Sequence, residues 1–368
     1  MEPNQHLSEF VTRLLAWYPE HARDLPWRRD REPYHVWLSE IMLQQTRVEA
    51  VKGYYQRFLQ ALPDIAALAD APEEQLLKLW EGLGYYNRVR NLQKAARQIR
   101  EEHGGVFPGT YDQIRQLSGI GPYTAGAIAS ICFESPTSAV DGNVLRVMAR
   151  VQDDHSCVDL PKVKQRITEQ LEAVYPAGRC GMLTQALMEL GATVCVPNGQ
   201  PRCGICPVRE VCRAYAQQTI QQLPVRAEKK KRRIEHRTVF VFLCRNTAAV
   251  RKREEQGLLA GLWEFPNLDR ACTPEEAIAW GEQMGVRPAA LLQSQERTHI
   301  FTHIEWHMTC YYFRCMHPAE PFVWADAAAL KEQYSLPTAF RLFLPDVLDL
   351  LDQAPEEPEP EPLEPGTV

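Results

Sequence analysis

No stretch of the 368-residue chain runs apolar for long enough to cross a bilayer, and its start, MEPNQHLSEF, lacks the apolar core of a secretory signal. A membrane protein is set aside and a cytoplasmic enzyme expected. Positive charge is short too: the formal net charge is −6, which at first argues against a nucleic-acid partner. Residues 353–368, however, hold five Glu and no base, so the remainder stands near −1. A near-neutral body still binds nucleic acid where its basic residues gather on one face. Hydrophobic residues at 45% and charged residues at 24% are ordinary for a soluble globular protein. The length accommodates more than one core, so two domains are expected.

Cysteine is the exception to these shortages. Eleven are many for a chain without a secretory signal, and Cys195, Cys203, Cys206 and Cys212 fall close together, spaced C-x7-C-x2-C-x5-C. In a reducing compartment such a cluster reads as metal ligation, not disulfides. Four thiolates in one Pro/Gly-rich loop suit a [4Fe–4S] cluster, whereas a zinc ribbon usually carries two CxxC pairs and here there is one.

The chain is organised around residues 117–150, LSGIGPYTAGAIASICFESPTSAVDGNVLRVMAR. Gly119 and Gly121 flank Ile120, which allows a sharp turn with positive φ available at each glycine, and a helix starts at Pro122. Backbone N–H groups at such a turn and helix start suit a phosphate and bind nucleic-acid backbone without reading sequence. Asp141, in Val140-Asp141-Gly142-Asn143, delivers a carboxylate, and it serves equally well as the cap of the helix that follows.

Elsewhere, Leu7, Phe10, Val11, Leu14 and Leu15 mark an amphipathic first helix. Tyr34–Ala50 reads as one long helix that carries Glu40 one turn before Gln44. Asp70–Leu83 reads as another, with Asp70 and Glu73 as its cap pattern. Thr110-x-x-Gln113 is a capping box opening the helix before the glycine turn. Residues 226–237, RAEKKKRRIEHR, hold seven bases and two acids and mark a linker. A strand at Thr238–Leu243 opens the second domain. The Pro/Glu tail of 351–368 is expected to be disordered.

Leu-x-Gly-x-Gly, an apolar helix and a loop ending in Val-Asp-Gly-Asn together resemble the helix-hairpin-helix DNA glycosylases. Over about Leu7 to Leu350 the chain resembles the MutY-type adenine DNA glycosylases within them. The resemblance implies a multidomain protein. An all-α helix-hairpin-helix glycosylase with a [4Fe–4S] loop spans 1–225, a basic linker 226–237, and a smaller α+β Nudix-like domain 238–350. It also implies a base-flipping, monofunctional hydrolase acting on adenine opposite 8-oxoguanine or G in double-stranded DNA, as a monomer with no membrane attachment.

By the same resemblance, Glu40 in EIMLQQT is the acid that protonates adenine, and Asp141 stabilises the cationic sugar with support from Tyr123. Trp27 and Arg28, Gln44, Asn143 and Gln185 lie at the substrate. Gln45 is the wedge that fills the stack, and Tyr85 of Gly-Leu-Gly-Tyr-Tyr the intercalator. Gly119 and Gly121 meet the DNA backbone. Cys195, Cys203, Cys206 and Cys212 hold the cluster, although the family's first gap is usually one residue shorter. Strand-cleaving relatives place a lysine where this chain has Tyr123, so no amine nucleophile stands there. Phe301-Thr302-His303 corresponds to the segment that reads 8-oxoguanine. Ile278–Gly285 lacks most of the acids a Nudix hydrolase uses for Mg²⁺, so binding without hydrolysis is expected of that domain. Two other readings are a thymine- or pyrimidine-mismatch glycosylase, whose relatives resemble only the first domain, and a noncatalytic iron–sulfur DNA-binding protein.

Overall fold

The structure, a computed structural model, describes residues 3–228 and 231–353. The Pro/Glu-rich tail therefore lies outside the described residues from position 354 onward. Unit 1 comprises Met1–Ala71 with Asn87–Lys229, and unit 2 comprises Pro72–Tyr86 with Lys230–Val368. In chain order the first helices are α1 (Pro3–His21), α2 (Pro33–Leu43), α3 (Val48–Ala61), α4 (Ile65–Asp70), α5 (Glu73–Leu79) and α6 (Asn87–Glu102). They continue with α7 (Tyr111–Gln116), α8 (Pro122–Phe133), α9 (Gly142–Gln152), α10 (Pro161–Glu172), α11 (Cys180–Thr193) and α12 (Arg213–Ala216). All but α5 belong to unit 1.

The apolar stripe of α1 is buried as its spacing requires: Leu7, Phe10, Val11, Leu14 and Leu15 join one core with Val147 and Met148 of α9, Ile167 of α10 and Leu187 of α11. Two expected helices are each broken. The Tyr34–Ala50 segment ends as α2 at Leu43, because Gln45 turns left-handed at φ +57°. Arg88 fixes that break by donating to the carbonyls of Ile41, Met42 and Gln44 at 2.7, 3.2 and 2.7 Å. Asp70 closes α4 and pairs with Arg100, so it caps nothing. Asp64 caps α4 through the Ala67 N–H, and α5 begins only after Pro72, which has no N–H to continue a ladder.

The hairpin of α7 and α8 forms as expected, with one difference. Gly119 takes φ +75°, where a Cβ would lie 2.6 Å from the Cβ of Asn91, but Gly121 sits at φ −87° as the N-cap of α8. Only Gly119 needs glycine's conformational freedom. A Cβ at Gly121 would meet nothing within 4 Å, so what its small size leaves is an uncovered helix start. Leu117 and Ile120 are buried beneath the turn, and Arg115 donates to the Ile120 carbonyl at 2.8 Å.

Unit 2 is built on a sheet. Its strands are β1 (Arg233–Cys244), β2 (Thr247–Lys252), β3 (Trp263–Glu264), β4 (Asn267–Leu268), β5 (Pro288–Ile300), β6 (Ile304–Cys315) and β7 (Val323–Ala325). The main path runs β3-β2-β1-β6-β5, with β4 beside β1 and β7 beside β2. The strand expected from Thr238 begins five residues earlier, because the charged end Arg233–Arg237 pairs in parallel with Ile304–Met308. Arg226 and Ala227, placed in the linker by their charge context, are held to unit 1 by Asp159 at 3.2 and 3.0 Å.

From Thr238 the whole of β1 is buried, and alternate residues enter two cores. Val239, Val241 and Leu243 pack with Leu330 of α14 (Ala327–Glu332), Phe340 of α15 (Thr338–Arg341) and Val347 of α16 (Leu344–Asp352). Phe240 and Phe242 face α13 (Pro274–Gln283), where Trp280 stacks on Phe240 at 4.4 Å. The α13 helix, where a Nudix hydrolase would keep its acids, presents Ala277, Trp280 and Gly281 to the sheet. A Cβ at Gly281 would lie 2.8 Å from Pro288.

Candidate active site

Glu40 sits in the last turn of α2, only 5% exposed, and Tyr123 in the first turn of α8 donates its hydroxyl to Oε2 at 2.7 Å. Burial pushes the Glu40 carboxyl up to about 7; the Tyr123 bond and Arg28 oppose that rise, and the charge of Asp141 adds to it. Burial, with Glu40 and Asp141 nearby, likewise holds the Tyr123 phenol well above its usual value, so it stays a donor. Pro122 at the first position of α8 fixes the entry that aims Tyr123 at Glu40.

Asp141 does cap α9. Its Oδ1 accepts the N–H groups of Asn143 and Val144, each at 2.8 Å, and Oδ2 accepts Asn143 Nδ2 at 2.7 Å. The cap and the delivered carboxylate are therefore one arrangement, since the bonds that start the helix also fix the carboxylate. Asn143 in turn accepts Arg146 at 2.9 Å, and Arg146 reaches the carbonyls of Gly191 and Cys195, both at 2.8 Å. The same group of side chains thus ties Asp141 to the first cysteine of the cluster-like spacing.

Trp27 and Arg28 lie on a short 3-10 turn, Pro26–Arg28. Trp27 is buried edge-on to Tyr55 at 5.5 Å, and Arg28 pairs with Glu189 at 2.8 Å. Glu189 is fully buried. It also takes Arg23 at 2.6 Å, and these two cations hold its carboxyl low against the opposing effect of burial. One turn earlier on α11, Gln185 accepts Tyr18 at 2.9 Å. Tyr18, Arg23 and Glu189 escaped the sequence reading. The signal available for Glu189 was its position four residues after Gln185, on the same helix face. Gln44 reaches Thr124 at 3.5 Å, while Gln45 is exposed at the left-handed break.

Cys195, Cys203, Cys206 and Cys212 line one cavity with Arg150, Val194 and Tyr215. Arg150 donates to Cys195 Sγ at 3.3 Å and to the Leu223 carbonyl at 3.0 Å. Burial pushes the Cys206 thiol up to about 12 and that of Cys212 up to about 11. Among the described residues, no three His, Cys, Asp or Glu side chains are drawn together closely enough to hold a metal ion.

In unit 2, Phe301-Thr302-His303 forms the turn between β5 and β6. Phe301 packs edge-on to Trp306 at 4.7 Å, while Thr302 and His303 are exposed. Within the same unit, the Tyr85 hydroxyl lies 2.7 Å from Thr302 Oγ1. The expected intercalator and the segment expected to read a damaged partner base are thereby brought together within unit 2.

The chain matches a family model described as HhH-GPD superfamily base excision DNA repair protein over residues 38–173, and a NUDIX domain over 238–345. It is 37% identical to the adenine DNA glycosylase of Mus musculus, covering 81% of this chain and 69% of that one. With the adenine DNA glycosylase of Buchnera aphidicola subsp. Baizongia pistaciae it shares 33% identity over 80% and 83%. Among solved structures, a thermostable thymine-DNA glycosylase superposes with a TM-score of 0.54 at 28% identity, over 58% of this chain and 98% of that chain. An endonuclease III in a non-covalent DNA complex gives 0.50 at 22% identity, over 59% and 99%, which attests the helical fold alone. A helical base-excision unit and a NUDIX unit in one chain, together with this identity and coverage, mean that the chain belongs to the adenine DNA glycosylase family.

Proposed function

We propose that this protein acts in base excision repair as a monofunctional glycosylase, hydrolysing the N-glycosidic bond of adenine paired with 8-oxoguanine or G in double-stranded DNA. The observation that carries this reading is a pair of carboxylates in opposed environments. Glu40 is buried against one phenol and titrates near neutrality, while Asp141 accepts three N–H bonds. Such a pair divides acid from anion.

Protonated Glu40 donates to a ring nitrogen of the flipped adenine, making the base a better leaving group. As the bond stretches, positive charge develops on the sugar. Anionic Asp141 stabilises it and water completes the hydrolysis. Tyr123 orients Glu40 and offers no amine, so no Schiff base forms and the strand stays intact. Trp27, Arg28, Gln44, Asn143 and Gln185 border the base, Gln45 fills the space it leaves, and the α8 start at Gly119–Gly121 takes a phosphate. Tyr85 intercalates, while Phe301, Thr302 and His303 read the partner base, and α13 serves packing and not hydrolysis. A thymine-mismatch activity is disfavoured because the thymine-DNA glycosylase likeness covers 58% of the chain, while the NUDIX match extends over 238–345.

Iron–sulfur clusters are common among these glycosylases, and four sulfur donors that line one cavity, spread wider than a single metal ion would draw them and one already taking an Arg150 N–H, suit a [4Fe–4S] group. Cys195, Cys203, Cys206 and Cys212 would hold it, and its iron–thiolate bonds would tie the 195–212 loop together. The protein is expected to work as a cytoplasmic monomer. Among the described residues no helix is long and apolar enough to cross a membrane.

Single-turnover base release from duplexes with A opposite 8-oxoguanine, G, C and T tests the reading. The first is expected to be fastest and G second, and equal rates on all four would reject it. Metal analysis of anaerobically purified protein is expected to give about four irons per chain. One zinc per chain and no visible absorbance would replace the cluster assignment.

A further inference from the structure

Residues Pro72–Tyr86 lie in sequence between helices of unit 1 but group with unit 2. At the base of this segment Glu81 is 12% exposed at its side chain and is bonded on both oxygens. Oε1 accepts the Leu336 N–H at 2.8 Å. Oε2 pairs with Lys78 at 2.8 Å and with Arg341 at 3.7 Å, and Lys78 also donates to the Tyr334 carbonyl at 3.3 Å.

Beyond Glu81 the chain turns through Gly82 at φ +96°, Gly84 at φ +70° and Tyr85 itself at φ +49°. Trp80 Nε1 closes this turn on the Gly84 carbonyl at 3.1 Å. At the tip, Tyr85 meets Thr302 hydroxyl to hydroxyl. Both tip residues are exposed, so water competes for that bond. The bonds that Glu81 makes to Lys78 and to the Leu336 N–H are better shielded from that competition than the tip is.

We propose that Glu81 is the positioning residue that sets lesion preference: by fastening the 82–86 turn to the Tyr334–Arg341 segment, it holds Tyr85 and Thr302 as one preassembled reader. This rests on the proposed reading of 8-oxoguanine by Thr302 with Tyr85 intercalated beside it. Without the fastening, the ring and the hydroxyl must be ordered separately when DNA binds, and the ordering cost falls on the lesion complex alone. Adenine opposite G, which gains little from the reader, is spared that cost.

The test uses the full chain with Glu81→Ala and Glu81→Gln, measuring single-turnover adenine release opposite 8-oxoguanine and opposite G. Glu81→Ala is expected to cut the ratio of the two rates roughly tenfold, as for loss of a charge-assisted bond to a shielded partner, with the rate opposite G unchanged. Glu81→Gln keeps an oxygen for the Leu336 N–H and restores most of the ratio. In a Thr302→Val background, Glu81→Ala should lower the ratio no further. Equal loss on both substrates, or an unchanged ratio in a variant whose melting curve matches wild type, overturns the proposal. A wild type with no preference for 8-oxoguanine over G would overturn the lesion reading itself. A wild type with the preference and a Glu81→Ala variant that keeps it would overturn only the role of Glu81.

Discussion

As the proposed acid, Glu40 can donate only while it carries a proton, and its neighbours set the pH range over which it does. Its carboxyl titrates near 7, so adenine release should hold below that pH and decline as pH rises through it. The Tyr123 bond lowers that value, because the phenol prefers the anion. Tyr123→Phe should therefore move the decline to higher pH, and single-turnover rates from about pH 5 to about pH 9 would register the shift. A decline that moves to lower pH, or does not move, would mean that Tyr123 does not govern Glu40. Glu40, Tyr123 and Asp141 could be singled out because each lies in a short local string; the structure pairs the first two and shows the cap at Asp141, whose bonds would also hold the carboxylate for its proposed role. The Glu189 pair with Arg23 and Arg28 was not legible. Its partners are more than 160 residues apart, and a mid-helix Glu looks the same in sequence whether solvated or buried.

Helices were read correctly where a cap or an apolar stripe declared them, as in α1, α8 and α9, and incorrectly where a break depended on tertiary support. The Tyr34–Ala50 run keeps its helical period through Gln45. What stops α2 is one left-handed residue whose freed carbonyls are taken by Arg88, forty-four residues beyond Gln44. The strand start at Arg233 was missed for a similar reason, since its charged residues earn their pairing from β6 and not from their own propensity. Close helix contact adds a constraint that composition hides. A Cβ on Gly126 of α8 would lie 2.2 Å from the Ser138 carbonyl oxygen, in the loop that delivers Asp141. Gly126→Ala should cost about 1–3 kcal/mol in stability by chemical denaturation, and it should slow adenine release beyond that loss by displacing Asp141. A variant as stable and as fast as wild type would show that this contact is soft.

Two units were expected, but not the excursion of Pro72–Tyr86 from one to the other, because nothing local separates α5 from its neighbouring helices. The excursion changes what a truncation does. Ending the chain after Glu228 spares the bonds that hold Arg226, Ala227 and Val225 to unit 1, so the Glu40–Asp141 site should remain. It also removes Leu336 and Tyr334, the partners of Glu81 and Lys78. The truncated protein should release adenine opposite 8-oxoguanine at a rate approaching that opposite G, and limited proteolysis should cut first within 72–86. Retention of the full lesion preference would reject this division of labour.

The same excursion has a consequence for biosynthesis. Leu336 follows Glu81 by 255 residues, which at a ribosomal rate of about 5–20 residues per second is a delay on the order of tens of seconds. During that interval the nascent chain presents Leu76, Leu77 and Trp80, all buried in the finished protein, before their own unit has been translated. The segment's apolar face therefore waits uncovered in the nascent chain, and the time to translate positions 82–336 sets how long.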